Sequence, residues 1–533
     1  MSGGNKETKV LVGALLITAV ILGGVYWIVK SRFGGDFRAL MGNQPTPTSG
    51  NAPSGNAGGG NGDGQTAQQL QGKVSGGDTL LLKSQSDVSR QEQQAIGAFA
   101  EGDYSRARKL FAQVLQANAN NPEARIYYQN ANLLANPNAE VYTIAVVVPA
   151  RVPGDRNKAA AILRGVAQAQ HEANESNPQI NGKGLQVLIA DDANSLSEAE
   201  KVARRLAASE NVVAVLGHYT SETTQAALPV YQEQQVPVIS ASSTSDNLSE
   251  FCAEQGDSCF FFRTVGNNQA NVDFFSEQLV SNARRAAILY SFNSDYSQSF
   301  QSNFQTLFPQ YGGTVTQISA NNLSQPGFDA QAAISQAQQQ GSEGIVLVPD
   351  GGTSAASLRN AIDVIEANQG QLWIAGSSAL YNPETLRELQ DASMNTLETF
   401  VTYAPWHYTT GCQTPGGQAF CDGANQLWGT RFLSWRTAMA YDAARATIAG
   451  LRSLSGSGGD IQQLRQTFQQ TLSDPSFEIQ GATGVVAFDP TNHNRENPPR
   501  EMVRIALCER LQYGLVFLPL EYNTPADAGL SCS

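Results

Sequence analysis

Thr143-Ile-Ala-Val-Val-Val-Pro-Ala150 is an apolar run of strand length, and it opens a regular alternation of such runs with amphipathic stretches. Strand candidates at 143–150, 185–191, 212–217 and 237–240 alternate with helical patterns near 159–174, 197–208 and 223–234. That order predicts parallel strands joined by right-handed crossovers. A second set comes at 286–291, 314–318, 344–348 and 371–375, separated by helical patterns around 269–279, 297–307, 330–339 and 354–367. Two similar sheets predict two lobes. The short apolar stretches 260–265 and 399–404 are candidate hinges, lying where the chain would leave the first lobe and return to it. After the return, 432–451 reads as a long helix, and strands at 485–489 and 503–507 would finish the architecture through a third crossing. In such a body the strand carboxyl ends of both lobes face the gap between them, where a ligand belongs.

Two hydroxyl-rich turns sit at adjacent strand ends, Gly217-His-Tyr-Thr-Ser221 and Ser240-Ala-Ser-Ser-Thr244. Ser221 precedes a helical pattern and can cap it, directing backbone N–H groups and a hydroxyl at the gap, an arrangement that suits a carboxylate. Ser242 and Thr244 add donors and a free carbonyl, and Tyr219 and Ser378 join them as cleft candidates. Ser and Thr are also ordinary turn and cap residues, but two such turns side by side favour a ligand. Asp350, after the strand 344–348, reads either as an acid facing the ligand or as a cap of the helix beyond it. Asp192, at another strand end, is a further cleft candidate beside a solvated or capping role.

With 533 residues the chain exceeds one core. Its formal net charge of −13 and the lack of any Lys after Lys201 exclude nucleic acid as a partner, since phosphate binding requires a basic face. Residues 10–29 carry no charged side chain, and ~20 apolar residues at 1.5 Å each match a ~30 Å hydrocarbon layer. They read as a membrane-spanning helix or uncleaved signal behind a cytoplasmic tail, residues 1–9. A cleaved peptide is the weaker alternative, because the small residues Gly23-Gly24 lie inside the apolar run. Lys6 and Lys9 before the segment and Lys30, Arg32 and Arg38 after it leave its orientation open.

Residues 30–87 read as a flexible linker, most plainly over 42–77, where Gly, Asn, Ser, Pro, Thr and Gln dominate. Residues 88–137 carry a helical pattern. There the turn Glu101-Gly102-Asp103-Tyr104, with Ala107, Phe111 and Leu115, resembles one tetratricopeptide repeat, and Pro122 opens a further helix. A single repeat must bury its face on a neighbour. It reads as a helical hairpin packed on the main domain, with a partner-docking surface as the other reading.

The six cysteines fall into sequence-near couples, Cys252/Cys259, Cys412/Cys421 and Cys508/Cys532, all beyond the apolar segment. An even count after an export signal predicts disulfides in an oxidising compartment. Other pairings are open to six cysteines. A metal site is disfavoured, because no C-x-x-C occurs and the four His are scattered. The residues after Val29 are therefore placed outside the cytoplasm.

From Val141 to about Leu518 the chain resembles the type I periplasmic binding proteins, in the branch of the leucine/isoleucine/valine-binding protein that serves ABC importers. Leu163-Arg-Gly-Val-Ala-Gln-Ala169, Ala190-Asp-Asp192, the two hydroxyl turns and Ser434-Trp-Arg-Thr-Ala-Met-Ala-Tyr-Asp-Ala443 carry the resemblance. It implies an α/β fold of two parallel-sheet lobes with three hinge crossings over 141–533. Lobe one would take about 141–262 and 405–485, and lobe two about 266–398 plus the C-terminal elements. It further implies that Ser221 and Thr244 hold a ligand α-carboxylate, that the Ser242 carbonyl and Thr244 receive its ammonium, and that Tyr296 closes on it. The family often presents a carboxylate after the strand ending at Ala375, but this chain has Gly376-Ser377-Ser378. Asp350 is the substitute, or the ligand lacks a free amine.

The resemblance implies no enzyme and no cofactor, and the sequence contains no G-x-S-x-G, Walker loop or H-E-x-x-H. The expectation is a solute-binding protein in the periplasm or outside the cell. A single helix would anchor it in the inner membrane, and it would deliver an amino acid or related amide to an ABC permease. The alternative is a sensing ectodomain, which would require a separate signalling partner because nine residues precede the apolar segment.

Overall fold

A computed structural model describes residues 73–175, 180–352, 354, 356–455 and 459–532. The expected spanning segment 10–29 and most of the expected linker lie outside these residues. Among the described residues no helix is long and apolar enough to cross a membrane.

Lobe one is built on a six-stranded sheet of order β1-β3-β2-β4-β5-β6, comprising β1 Val74–Ser75, β2 Val141–Val148, β3 Gly184–Asp191, β4 Val212–Leu216, β5 Val238–Ser240 and β6 Phe261–Arg263. All pairings but β1–β3 are parallel. Helices cover both faces of such a sheet, which is why β4 is wholly Val, Ala and Leu and β2 is apolar but for Tyr142 and Thr143. Lobe two carries the order β15-β14-β11-β10-β9-β7-β8, with β7 Arg285–Tyr290, β8 Thr314–Thr316, β9 Gly344–Val348, β10 Trp373–Gly376, β11 Phe400–Ala404, β14 Glu501–Leu507 and β15 Leu515–Pro519. This sheet is mixed, because β14 pairs antiparallel with both β11 and β15. A separate hairpin, β12 Glu478–Gly481 and β13 Gly484–Ala487, lies beside lobe one.

The crossings differ from the stretches expected. Half of 260–265 is β6, within the first sheet, and most of 399–404 is β11, within the second. The backbone passes between lobes at 264–267, overlapping the end of the first stretch, at 405–414, just after the second, and again at 488–500. Short apolar runs are what a sheet interior needs, so their composition marked strands and not hinges.

The end of the expected linker is ordered. β1 pairs with β3, and Leu80 and Leu81 are buried. The Glu123 carboxylate accepts the Leu81 and Leu82 N–H groups at 2.5 and 3.2 Å, and Asn130 ties Gly76 to Val187 through its side-chain amide. Burial pushes the Glu123 carboxyl up to about 7. The helices Arg90–Ala100, Tyr104–Ala117 and Pro122–Leu134 form one packed group, the last lying against β3 and the helix Arg156–Glu175. A capping box at Ser89 and Glu92 starts the first of them.

The disulfides are Cys252–Cys259, Cys412–Cys421 and Cys508–Cys532. His493 approaches the first, but its ring stacks on Phe262 and bonds the Phe261 carbonyl. A glycine decides how the long helix Trp435–Arg452 reaches the crevice: a Cβ at Gly165 would overlap the Thr437 carbonyl, so only glycine lets the two helices approach this closely.

Candidate functional site

The two hydroxyl turns meet at the carboxyl ends of β4 and β5. Thr220, not Ser221, is the cap of the helix Ser221–Glu233; its hydroxyl accepts the Thr223 N–H. Ser221 is the first helical residue and stitches the turns together, its Oγ accepting the Ser245 N–H at 3.2 Å. Ser242 Oγ donates to the Tyr219 carbonyl at 2.7 Å, and Thr224 and Ser243 share a hydroxyl bond at 2.7 Å. Gly217 opens the first turn at φ 137°, where a Cβ would strike the Val147 carbonyl.

Arg263, fully buried at the end of β6, braces this rim from behind. Its Nη1 donates to the carbonyls of Ser243 at 3.1 Å and Ser245 at 2.9 Å, the two residues flanking Thr244. Its Nε donates to Asn494 Oδ1 at 2.7 Å, so the third crossing is tied to the same cation, and Ser249 bonds it as well. Burial pushes the Arg263 pKa down to about 10, which leaves it charged at neutral pH. With the neighbouring carbonyls thus fixed, Thr244 presents its side chain to the crevice. Among the described residues its buried Oγ1 has no hydrogen-bond partner, and of the buried hydroxyls in that state, Ser276, Ser297, Ser377 and Thr385 among them, it is the one on the cavity wall, where a ligand can reach it.

Lobe two contributes Tyr296, Gly351, Ser378 and Ala379. Burial raises the Tyr296 phenol, with Ser377 and Ser378 beside it opposing the rise. The lobes already touch across the mouth. Tyr219 donates its hydroxyl to the Gly351 carbonyl at 2.9 Å, Lys158 reaches the same carbonyl at 3.2 Å, and Asn194 reaches that of Gly352 at 3.1 Å. Ser294 donates to Glu222 at 2.7 Å, and Ser299 to Asp246 at 3.0 Å.

Between them lies a cavity of ≈ 40 Å³ whose wall includes Tyr219, Ser221, Ser242, Thr244, Tyr296 and Ser378. That is room for a few waters, at about 10–15 Å³ of such space each, and less than an amino acid needs. A wider, open groove of ≈ 640 Å³ lies at the lobe junction, lined by the acids Asp246, Glu250 and Asp295, of which Asp246 is already bonded by Ser299 and Asn303.

Two expected residues are placed elsewhere. Asp192 is fully buried behind the rim, its Oδ2 on His218 Nδ1 at 2.7 Å, with His218 Nε2 on the Tyr231 hydroxyl at 3.2 Å. It is a brace and not a cleft acid. Asp350 takes neither of its two readings: its Oδ1 accepts the N–H groups of Gly352 and Ser354 at 3.0 and 3.1 Å within the loop, the helix Ser357–Asn368 beyond it is capped at Ala356, and the residue is not part of the cavity wall.

Sequence reasoning missed six wall residues, Thr220, Glu222, Gly351, Ala379, Trp435 and Arg436. Glu222 adjoins Ser221 in a turn already singled out, so that turn held the signal. Burial raises its carboxyl above the ordinary value. Arg436 lies two residues into an otherwise apolar helix start, and a charge there was the available clue. Its guanidinium sits 4.4 Å from the Trp435 ring centre and 5.7 Å from that of Tyr219, distances at which a cation is attracted to a ring face.

Two α/β lobes, three crossings and a crevice at the strand ends define the class of two-lobed solute-binding proteins. Residues 141–503 match the family model of the periplasmic binding proteins, and the chain belongs to that family. Over 87 residues it is 36% identical to an amino acid binding protein of Pseudomonas aeruginosa, a stretch that spans 16% of this chain and 23% of that relative. The leucine binding protein LivK of Thermotoga maritima superposes with a TM-score of 0.55 at 17% identity, covering 71% of this chain and 98% of the other. An ABC transporter substrate-binding protein from Desulfitobacterium hafniense, in complex with Leu, gives 0.54 at 20% identity, covering 71% and 100%. At these identities the structural likeness establishes the fold.

Proposed function

We propose that the protein is an extracytoplasmic solute-binding protein that clasps a small carboxylate-bearing ligand of the amino-acid or amide class and delivers it to an ABC importer. The observation that carries this reading is the buried Thr244 hydroxyl at the cavity wall, held by flanking carbonyls that Arg263 fixes and lacking a partner among the described residues. The N-terminus of the helix Ser221–Glu233 opens on the same cavity and favours negative charge there. The relative from Pseudomonas aeruginosa supports the ligand class.

In this reading the ligand docks on lobe one, and Tyr296 and Ser378 close over it. Differential contact with the two forms drives the closure. The apolar segment 10–29 and the residues after it would hold the protein near its permease and raise the effective concentration. Isothermal titration calorimetry of the full chain against an amino-acid and amide panel tests the site. Ser221→Ala and Thr244→Ala should each weaken binding about ten- to hundredfold, the worth of a charged hydrogen bond. Unchanged affinity in both would refute it.

A further inference from the structure

Arg436 is the feature of the crevice that the proposed function does not use. It is 6% exposed and lines the cavity. Among the described residues it forms no ion pair, its Nε has no hydrogen-bond partner, and its one side-chain bond is a long one to the Tyr219 hydroxyl at 3.4 Å. A buried guanidinium without a counter-anion is costly, because rings attract a cation more weakly than a carboxylate does. The nearby cation Lys158 is paired with Asp155 at 2.8 Å. Arg436 also sits in the first turn of an 18-residue helix, whose N-terminal pole adds positive potential to the same wall. The single carboxylate of that wall, Glu222, forms no ion pair with Arg436; its Oε1 accepts from Ser294 Oγ and the Tyr296 N–H on the seam.

We infer that the crevice selects a ligand with two carboxylates, of the acidic amino-acid class, whose second carboxylate is received by Arg436. This rests on the reading of Thr244 and Ser221 as the seat of the first. Glu222 then faces the ammonium, which supplies the acid that the turn after β10 lacks. A planar guanidinium fork matches a carboxylate in two parallel bonds. An aliphatic side chain in the same place would close Arg436 into a dry site with no partner, which selects against leucine-like ligands.

Calorimetry of the full chain with L-glutamate, L-aspartate, L-glutamine, L-asparagine, L-leucine and glutarate tests it. The acidic amino acids should bind about ten- to hundredfold tighter than their amides, and glutarate, which has no ammonium for Glu222, more weakly than glutamate. Arg436→Gln should collapse the acid-to-amide ratio toward one, and Arg436→Lys should restore part of it. If a neutral amino acid binds wild type as tightly as the acidic ones, the inference falls while the proposed function stands. If Arg436→Gln lowers every affinity by the same factor, Arg436 is a structural stack and the inference falls. If no member of any class binds wild type, both fall.

Discussion

The rim of lobe one and the rim of lobe two use the same device, polar turns at strand ends, but they are held in different ways. On lobe one the turns are locked from behind by buried polar groups: Arg263 on the Ser243 and Ser245 carbonyls, and the Asp192–His218–Tyr231 chain beneath them. On lobe two the wall is half-buried Tyr296 with Ser378 and Gly351, and much of its bonding runs to the opposite lobe, as at Gly351 and Glu222. In the proposed mechanism lobe one would therefore be preorganised whether the crevice is open or shut, whereas lobe two would exchange partners as it closes. The proposed docking of ligand first on lobe one would follow from that asymmetry.

The largest effect should come from Arg263→Met. It removes the donor to the buried Ser243 and Ser245 carbonyls, a loss worth about 1–3 kcal/mol for each carbonyl left unsatisfied, and cuts the tie to Asn494. Urea unfolding should show it, and ligand binding should vanish with the turn geometry. A stable, binding-competent variant would remove the idea of a braced rim.

Thr244→Ala sharpens the same contrast from the other side. It deletes a hydroxyl that has no partner within the described fold, so thermal stability should hold within about 0.5 kcal/mol, the range of substitutions away from such networks, while affinity falls. A residue kept for binding need not contribute to the stability of the empty fold. On lobe two, Tyr296→Phe should mainly raise the dissociation rate, read by stopped-flow, because lobe two engages last.

Smaller still is the pH response, whose strongly shifted groups lie outside the cavity wall. Burial holds His407 down at about 4, so the folded form stays neutral while the unfolded chain gains a proton below its ordinary 6.5. Stability from this group is lost as pH falls from 6.5 toward 4. Burial lifts Glu501 and Glu123 to about 7 from 4.5. There the folded form holds the extra proton, and stability is lost as pH rises through that window. The opposing terms should keep the net slope below about 1.4 kcal/mol per pH unit. Glu501→Gln should flatten the loss on the alkaline side in thermal melts from pH 4 to 8.

Much of the fold was legible because strand and helix periods are local. Residues 344–348 coincide with β9, 185–191 lies within β3, and each cysteine couple closes on its sequence neighbour. The hydroxyl turns were legible for the same reason. What sequence could not give was the distant partner. Asp192 looked available until His218, 26 residues on, took it. Arg263 was one charge at the end of an aromatic run until residues 494 and 243–245 converged on it. Val74 and Leu81 sit in a polar stretch that reads as linker, yet β3 and Glu123 order it. Asp350 was open between two roles that differ only in where its oxygens point.

Closure itself is open to direct measurement by pulsed dipolar spectroscopy. Spin labels at Leu196→Cys on lobe one and Phe292→Cys on lobe two would sit on exposed positions. Titrated with the amino-acid panel, the distance distribution should narrow and shift to shorter separation with a saturating ligand. A distribution unchanged by every member of the panel would contradict the claim that a small solute is held between the lobes.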